Sequence, residues 1–209
     1  SSLDVPVDGS LTELQMLQGM LIASANNYAQ RLASDLFGTD AAFSAAANAY
    51  LAERGIGGIT IVNPTGIEAG NTATPAALIA LAERALANPV VAEIVRTPEL
   101  TLPGAGTFKN GNALLSDPGV VGVKTGTLDA WNLLTAKDIT VGGTTVRAYA
   151  AVLGQPGPDS RNEAARTLFT RIEEELQPQP SVTAGTLVGK VETLWGPDIH
   201  LVPASDLSA

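Results

Sequence analysis

Residues Asn132 to Val141 and Thr144 to Leu153 form two alternating runs joined at Gly142-Gly143. Alternation at period two marks strands with one buried face, and a two-residue glycine link predicts a tight antiparallel hairpin. Val120-Val121-Gly122-Val123-Lys124 reads as a further short apolar strand just before it. The apolar face of such a unit has to be covered, and most of the chain ahead of it reads as helix.

Ser10-Leu11-Thr12-Glu13 reads as a capping box, followed by Leu14, Leu17, Met20 and Leu21 at helical spacing up to Ser24. A second helix is predicted from Asn26 to Phe37, ending at Gly38. A third, Ala-rich helix is capped by Thr39 or Asp40 and stops at Gly55. β-branched residues at Ile59 to Val62 precede a turn at Asn63-Pro64-Thr65-Gly66. Thr74-Pro75 starts a helix that runs to about Asn88, with Ala77, Leu78, Leu81 and Leu86 as core contacts. A shorter helix covers Val90 to Arg96. After the hairpin, Ser160-Arg161-Asn162-Glu163 repeats the capping box. It opens an amphipathic helix carrying Ala165, Leu168, Phe169, Ile172 and Leu176. Gln177-Pro178-Gln179-Pro180 is a linker by composition. The 181–209 segment is too short for its own core and reads as the start of a β-rich module. The expected division is 1–176, a linker at 177–180, and 181–209.

Apolar residues make up 45% of the 209 and charged residues 16%, which indicates a globular fold. A net charge of −9 with no basic cluster argues against nucleic acid or anionic lipid as a partner. There is no cysteine, and the single histidine, His200, lies in a peripheral-looking region. A Ser-His-Asp triad or a histidine metal site is therefore not expected. Leu14 to Gln30 is uncharged but too rich in Gln and Asn for a membrane span. Ser1-Ser2-Leu3-Asp4 has neither the basic start nor the apolar run of a signal peptide.

Two short motifs can carry chemistry. Lys124-Thr125-Gly126 on a strand offers a fixed positive charge, a directed hydroxyl and a side-chain-free position where an extended peptide can approach. Ser24-Ala25-Asn26, 100 positions earlier, offers a hydroxyl that can relay protons and an amide that can orient a peptide group. Each has a plainer reading: a solvated lysine before a turn, and a serine cap with Asn26 bonded to nearby backbone.

Further stretches accompany them. Leu11-Thr12-Glu13-Leu14 leads into Ser24-Ala25-Asn26-Asn27-Tyr28-Ala29, and Asn63-Pro64-Thr65-Gly66-Ile67 into the Thr72 to Leu86 helix. Asn112-Ala113-Leu114-Leu115 precedes Gly122-Val123-Lys124-Thr125-Gly126-Thr127. Together, from about Gly9 to Val202, these resemble the serine penicillin-binding proteins, specifically the low-molecular-mass D-alanyl-D-alanine carboxypeptidases.

The resemblance implies an α+β fold of the DD-peptidase and β-lactamase type. An antiparallel sheet is covered by helices, residues 24–112 supply most of a helical lobe, and a small β-domain follows. It implies acyl transfer: a serine attacks the D-Ala-D-Ala amide and water later releases the acyl group. Ser24 would help carry the proton to the leaving amine, and Asn26 would hold the motif lysine and the substrate amide. Lys124 would supply positive potential, with Thr125 and Thr127 as hydroxyl partners and Gly126 admitting the peptide. The Thr127 amide would be one oxyanion donor. Arg161 matches the basic residue placed near the substrate carboxylate, although an exposed first-turn arginine would read the same. Implied partners are peptidoglycan stem peptides ending in D-Ala-D-Ala and β-lactam antibiotics, with no nucleic acid. No metal or organic cofactor is implied, and the cell-wall substrate implies export from the cytoplasm.

The family's nucleophile motif is Ser-x-x-Lys, and no serine here has a lysine three positions later. In the family that motif precedes Ser-x-Asn by several tens of residues, so it would fall before Ser1, along with a first strand and helix. The expectation is a fragment that is inactive alone and whose partner is its own N-terminal segment. The alternative is a non-catalytic peptidoglycan-binding homologue. A full domain lacking a central buried helix would leave that helix's partners open to water, which favours the fragment. A class A β-lactamase fits less well, because no Glu-x-x-Leu-Asn lies between the two motifs. No lysine or histidine lies near Ser24 in sequence, so Ser24 is expected to be unreactive by itself.

Overall fold

Thr12 caps the first helix, α1 (Glu13–Ile22). Its hydroxyl accepts the Gln15 amide at 3.2 Å, and the Gln15 side chain accepts the Thr12 amide at 2.8 Å. The capping box thus lies two residues later than Ser10-Glu13, because Gln at the third helical position closes it as well as Glu does. The expected stripe shifts as well: Leu14 is half exposed, and Gly19 and Ile22 are the buried positions. α2 (Asn26–Phe37) ends at Gly38, whose φ of +80° suits glycine. Thr39 caps α3 (Asp40–Glu53) by accepting the Ala42 amide at 3.1 Å.

The computed structural model describes residues 1–176 and 182–207. After α3, the two-residue strands β1 (Ile59–Thr60) and β2 (Thr72–Ala73) pair across the Asn63 turn. Thr74 then caps α4 (Pro75–Leu86), and Asn88 caps α5 (Pro89–Val95). A hairpin absent from the sequence reading follows: β3 (Glu99–Leu102) pairs with β4 (Gly106–Lys109). A short 3₁₀ turn, Ala113–Ser116, leads into β5 (Val120–Thr127).

The long hairpin forms as its alternation requires. β6 (Trp131–Val141) and β7 (Thr144–Gln155) pair antiparallel through Gly142-Gly143, and the sheet order is β5-β6-β7. α6 (Pro158–Glu175) begins earlier than expected. Gly157 is its cap, and its amide donates to Ser160 Oγ at 3.2 Å, so Ser160 sits inside the first turn. Pro158 explains the earlier start, since its fixed φ already fits the first helical position.

Period-two burial sorts the sheet's faces. On one face Leu133, Val152, Ala150 and Ala148 pack under α6 through Ala165 and Phe169; Leu168, expected on that side, is 37% exposed. On the other, Val123, Ala136 and Leu134 meet Ala82, Leu86 and Val95 of α4 and α5. A separate cluster joins Ala25 and Tyr28 to Leu102, with Leu3, Met20, Leu100 and Phe108 around it. The chain is a mixed α+β protein. The 177–180 linker lies outside the described residues. Beyond it, β8 (Gly189–Val191) pairs with β9 (Ile199–Leu201), and His200 is exposed opposite Lys190. No helix among the described residues is long and apolar enough to cross a membrane, and no group of three potential metal ligands occurs among them.

Candidate active site

Strand β5 is pinned just ahead of its lysine. The Gly122 carbonyl accepts Asn112 Nδ2 at 2.8 Å and Thr135 Oγ1 at 2.7 Å, both from buried side chains. Asn112 also accepts the Leu114 amide at 3.1 Å, which ties the 3₁₀ turn to the strand. The register then sets Lys124 opposite Leu134, which packs on the α4–α5 side, and Thr125 opposite Leu133, which packs on the α6 side. Gly126 and Thr127 are exposed at the end of the strand. Among the described residues β5 pairs with β6 alone, leaving its other edge without a strand partner.

The α1–α2 junction brings the second motif to this strand. α1 closes at Ala23, and Ser24 adopts φ +57°, a left-handed conformation uncommon for serine. That bend aims the hydroxyl at the sheet, where Lys124 Nζ donates a hydrogen bond to Ser24 Oγ. Lys124 Nζ also donates to the Thr125 carbonyl at 2.8 Å. Lys124, 100 positions away along the chain, is thus the hydrogen-bond partner of Ser24 in space. Asn26 opens α2, and its amide donates to the Ser1 carbonyl at 2.8 Å; its side chain is half-buried.

Burial, which disfavours the charged form, and like-charge repulsion from Arg161 together lower the Lys124 pKa to about 8. The unfolded chain holds this proton up to about 10.5 and the folded chain releases it near 8. Folding is therefore penalised by this group below about pH 8, and the penalty fades between about 8 and 10.5. Accordingly, the stability gap between Lys124→Met and wild type is expected to be larger at about pH 7 than at about pH 10. Urea unfolding at both values measures it.

Arg161 is buried at 4% exposure, so it is not an exposed first-turn arginine. Its guanidinium donates to the carbonyls of Asn132 and Gly111, each at 3.3 Å, and lies 5.3 Å from the centre of the Trp131 ring. Nε is buried without a hydrogen-bond partner, and burial lowers the pKa of the group. Among the described residues no carboxylate forms an ion pair with Arg161 or Lys124. The Arg161 charge thus acts on Lys124 while neither has an ion-paired carboxylate among the described residues, an arrangement that favours an anion. Two clefts of about 370 and 440 Å³, around Arg147 and around Leu51, lie away from these residues.

The structure therefore joins Ser24 to Lys124 and places Thr125, Gly126 and Thr127 on the same strand, with Arg161 buried nearby. Sequence reasoning overlooked Thr135 and Trp131. Thr135 is indistinguishable from any other position of an alternating strand, and its value lies in a carbonyl thirteen residues away.

A family model described as D-alanyl-D-alanine carboxypeptidase, Peptidase_S11, matches residues 2–157. The chain belongs to that family. It is 31% identical over 182 residues to the D-alanyl-D-alanine carboxypeptidase DacB2 of Mycobacterium tuberculosis, covering 83% of this chain and 62% of the relative. With DacF of Bacillus subtilis it shares 28% identity, covering 89% of this chain and 49% of the relative. The carboxypeptidase-family chain thus spans about half to three-fifths of these relatives' lengths. Penicillin-binding protein D2 of Listeria monocytogenes, in its ampicillin-bound form, has the same fold. Its TM-score is 0.67 at 24% identity, covering 81% of this chain and 75% of that one.

Proposed function

We propose that these residues form the substrate-holding and proton-relay part of a serine D-alanyl-D-alanine carboxypeptidase acting on peptidoglycan stem peptides outside the cytoplasm. The observation that carries this reading is the hydrogen bond from Lys124 Nζ to Ser24 Oγ, which unites two motifs 100 positions apart. An extended peptide pairs with the free edge of β5, passing Gly126, and its terminal carboxylate is drawn to Lys124 and Arg161 with help from the Thr125 and Thr127 hydroxyls.

The reaction is acyl transfer. A serine oxygen from a segment outside these 209 residues bonds to the penultimate D-Ala carbonyl carbon, with the Thr127 amide as one oxyanion donor. The amide C–N bond breaks, and the serine's proton reaches the departing amine through Ser24 and Lys124. Asn26 orients the peptide amide. Water then hydrolyses the ester and frees the enzyme. β-Lactams enter as substrate mimics, as the ampicillin-bound Listeria relative supports. Residues 182–207 begin a second, β-rich unit.

The test is the intact mass of the native gene product before and after benzylpenicillin. Gain of one penicilloyl group by a longer protein is the expected result. A product of this length that gains nothing would favour a non-catalytic peptidoglycan binder, in which the groove holds peptides without cleaving them. The 209-residue chain alone is expected to stay unmodified at about pH 7, because a protonated Lys124 donates to Ser24 Oγ and cannot take its proton. Rapid acylation at Ser24 would overturn that.

A further inference from the structure

Residues 1–4 form a strap across the α1–α2 junction, bonded on both sides of Ser24. Ser1 Oγ lies 3.0 Å from the Ala23 carbonyl and 2.6 Å from the Ser24 carbonyl, within donating distance of each. The Ser1 carbonyl accepts the Asn26 amide at 2.8 Å. Asn27 makes the firmest tie: its Nδ2 donates to the Leu3 carbonyl at 2.8 Å, and its Oδ1 accepts the Leu3 amide at 3.1 Å. A carboxamide that satisfies both backbone groups of one residue acts like a rung of an antiparallel ladder. Tyr28 adds a third point, its hydroxyl donating to the Asp4 carbonyl at 2.9 Å. Beneath them Leu3 packs in the cluster of Ala25, Tyr28 and Leu102. The Tyr28 ring lies so close to Gly19 that a Cβ there would stand 2.5 Å from it.

This junction needs outside support. A serine held at positive φ is strained, so a free junction would relax away from it. Such relaxation would swing the Ser24 hydroxyl from the sheet and admit water to the ammonium beside it. Neither Asn27 nor Leu3 bonds to Lys124, so both act on it only through Ser24.

We propose that Asn27, by clamping the Leu3 peptide unit across the helix junction, is a positioning residue that holds Ser24 Oγ against Lys124 Nζ. The functional weight of this inference rests on the proton-relay reading above; its test does not.

Lys124 is titrated in the 209-residue chain by NMR of ε-¹³C-lysine, its signal assigned by loss in Lys124→Arg. In wild type the midpoint is expected near 8. In Asn27→Ala it is expected to rise by about one pH unit or more toward an ordinary lysine, as water reaches the ammonium. In Asn27→Leu, which keeps the bulk, removes both bonds and adds no charge, it is expected to rise as far. Phe169→Leu, remote under α6, lowers the melting temperature without moving the midpoint. A folded Asn27→Ala with an unmoved midpoint overturns the proposal. So does a midpoint that moves as far in Phe169→Leu, or the failure of both Asn27 variants to fold, which would make Asn27 a folding residue only. A failed penicillin experiment would instead count against the carboxypeptidase reading and leave this titration readable.

Discussion

Lys124→Met is expected to slow penicilloyl transfer by the native gene product by about 10²–10⁴-fold, the usual contribution of a positioned proton-transfer group. Methionine keeps the length and much of the volume of lysine, so the half-buried slot between β5 and the helical lobe stays filled. The hydrogen bonds to Ser24 Oγ and the Thr125 carbonyl are lost, together with a cation that burial already strains. Folding should not suffer at neutral pH, because the charge removed was disfavoured by its surroundings. Lys124→Arg separates two roles: it keeps a positive charge but cannot give up a proton near neutrality. If the charge alone matters, Arg restores the rate; if proton exchange with Ser24 matters, Arg stays as slow as Met. The time course of intact mass with benzylpenicillin measures both variants. An undiminished rate in Lys124→Met would remove Lys124 from the proton path.

Arg161→Met is expected to weaken binding of a D-Ala-D-Ala peptide by about 2–5 kcal/mol while leaving the unfolding free energy equal or higher. The reason is the same guanidinium seen in two lights. Without ligand it is a buried cation with no ion-paired carboxylate among the described residues, and its Nε is unsatisfied. Replacing such a group by an apolar one of similar volume is often neutral or stabilising. With a terminal carboxylate present, it becomes one half of a desolvated ion pair and contributes strongly. Loss of Arg161 also removes the repulsion that helps to lower the Lys124 pKa, so the Lys124 midpoint should move up as well. Calorimetric binding and urea unfolding test the two halves separately. A drop in stability beyond about 2 kcal/mol would mark the bonds to the Asn132 and Gly111 carbonyls as structural, with no cost carried for a ligand.

The elements that could be read from the chain are those whose signals are local. Thr74-Pro75 starts α4, Thr39 caps α3, Gly38 ends α2, and Gly142-Gly143 turns β6 into β7, each within a span of about four residues. The two capping boxes slipped for a physical reason. Ser10 and Thr12 are both able to cap, as are Gly157 and Ser160 in their different ways, and the winner depends on the direction from which the chain enters the helix. The β3–β4 hairpin was overlooked because its strands are short and Leu102-Pro103-Gly104-Ala105-Gly106 resembles any loop. What settles it as a hairpin is burial of Leu100 and Leu102 against Tyr28 and Leu3.

The candidate site divides along the same line. The residue types and their family were legible, since Ser24-Ala25-Asn26 and Lys124-Thr125-Gly126 are contiguous words. The chain by itself also marked the period-two strands and the amphipathic helices around them, while the α+β arrangement was what the family resemblance implied. Only the tertiary structure decided that Lys124 reaches Ser24, that Arg161 is buried with no ion-paired carboxylate among the described residues, and that Asn27 bonds both backbone groups of Leu3. Those facts depend on where a strand edge, a left-handed serine and a strap of extended chain meet. Caps and turns act over a few residues and are written in order; desolvation and hydrogen bonding across 100 positions exist only once the layers have closed.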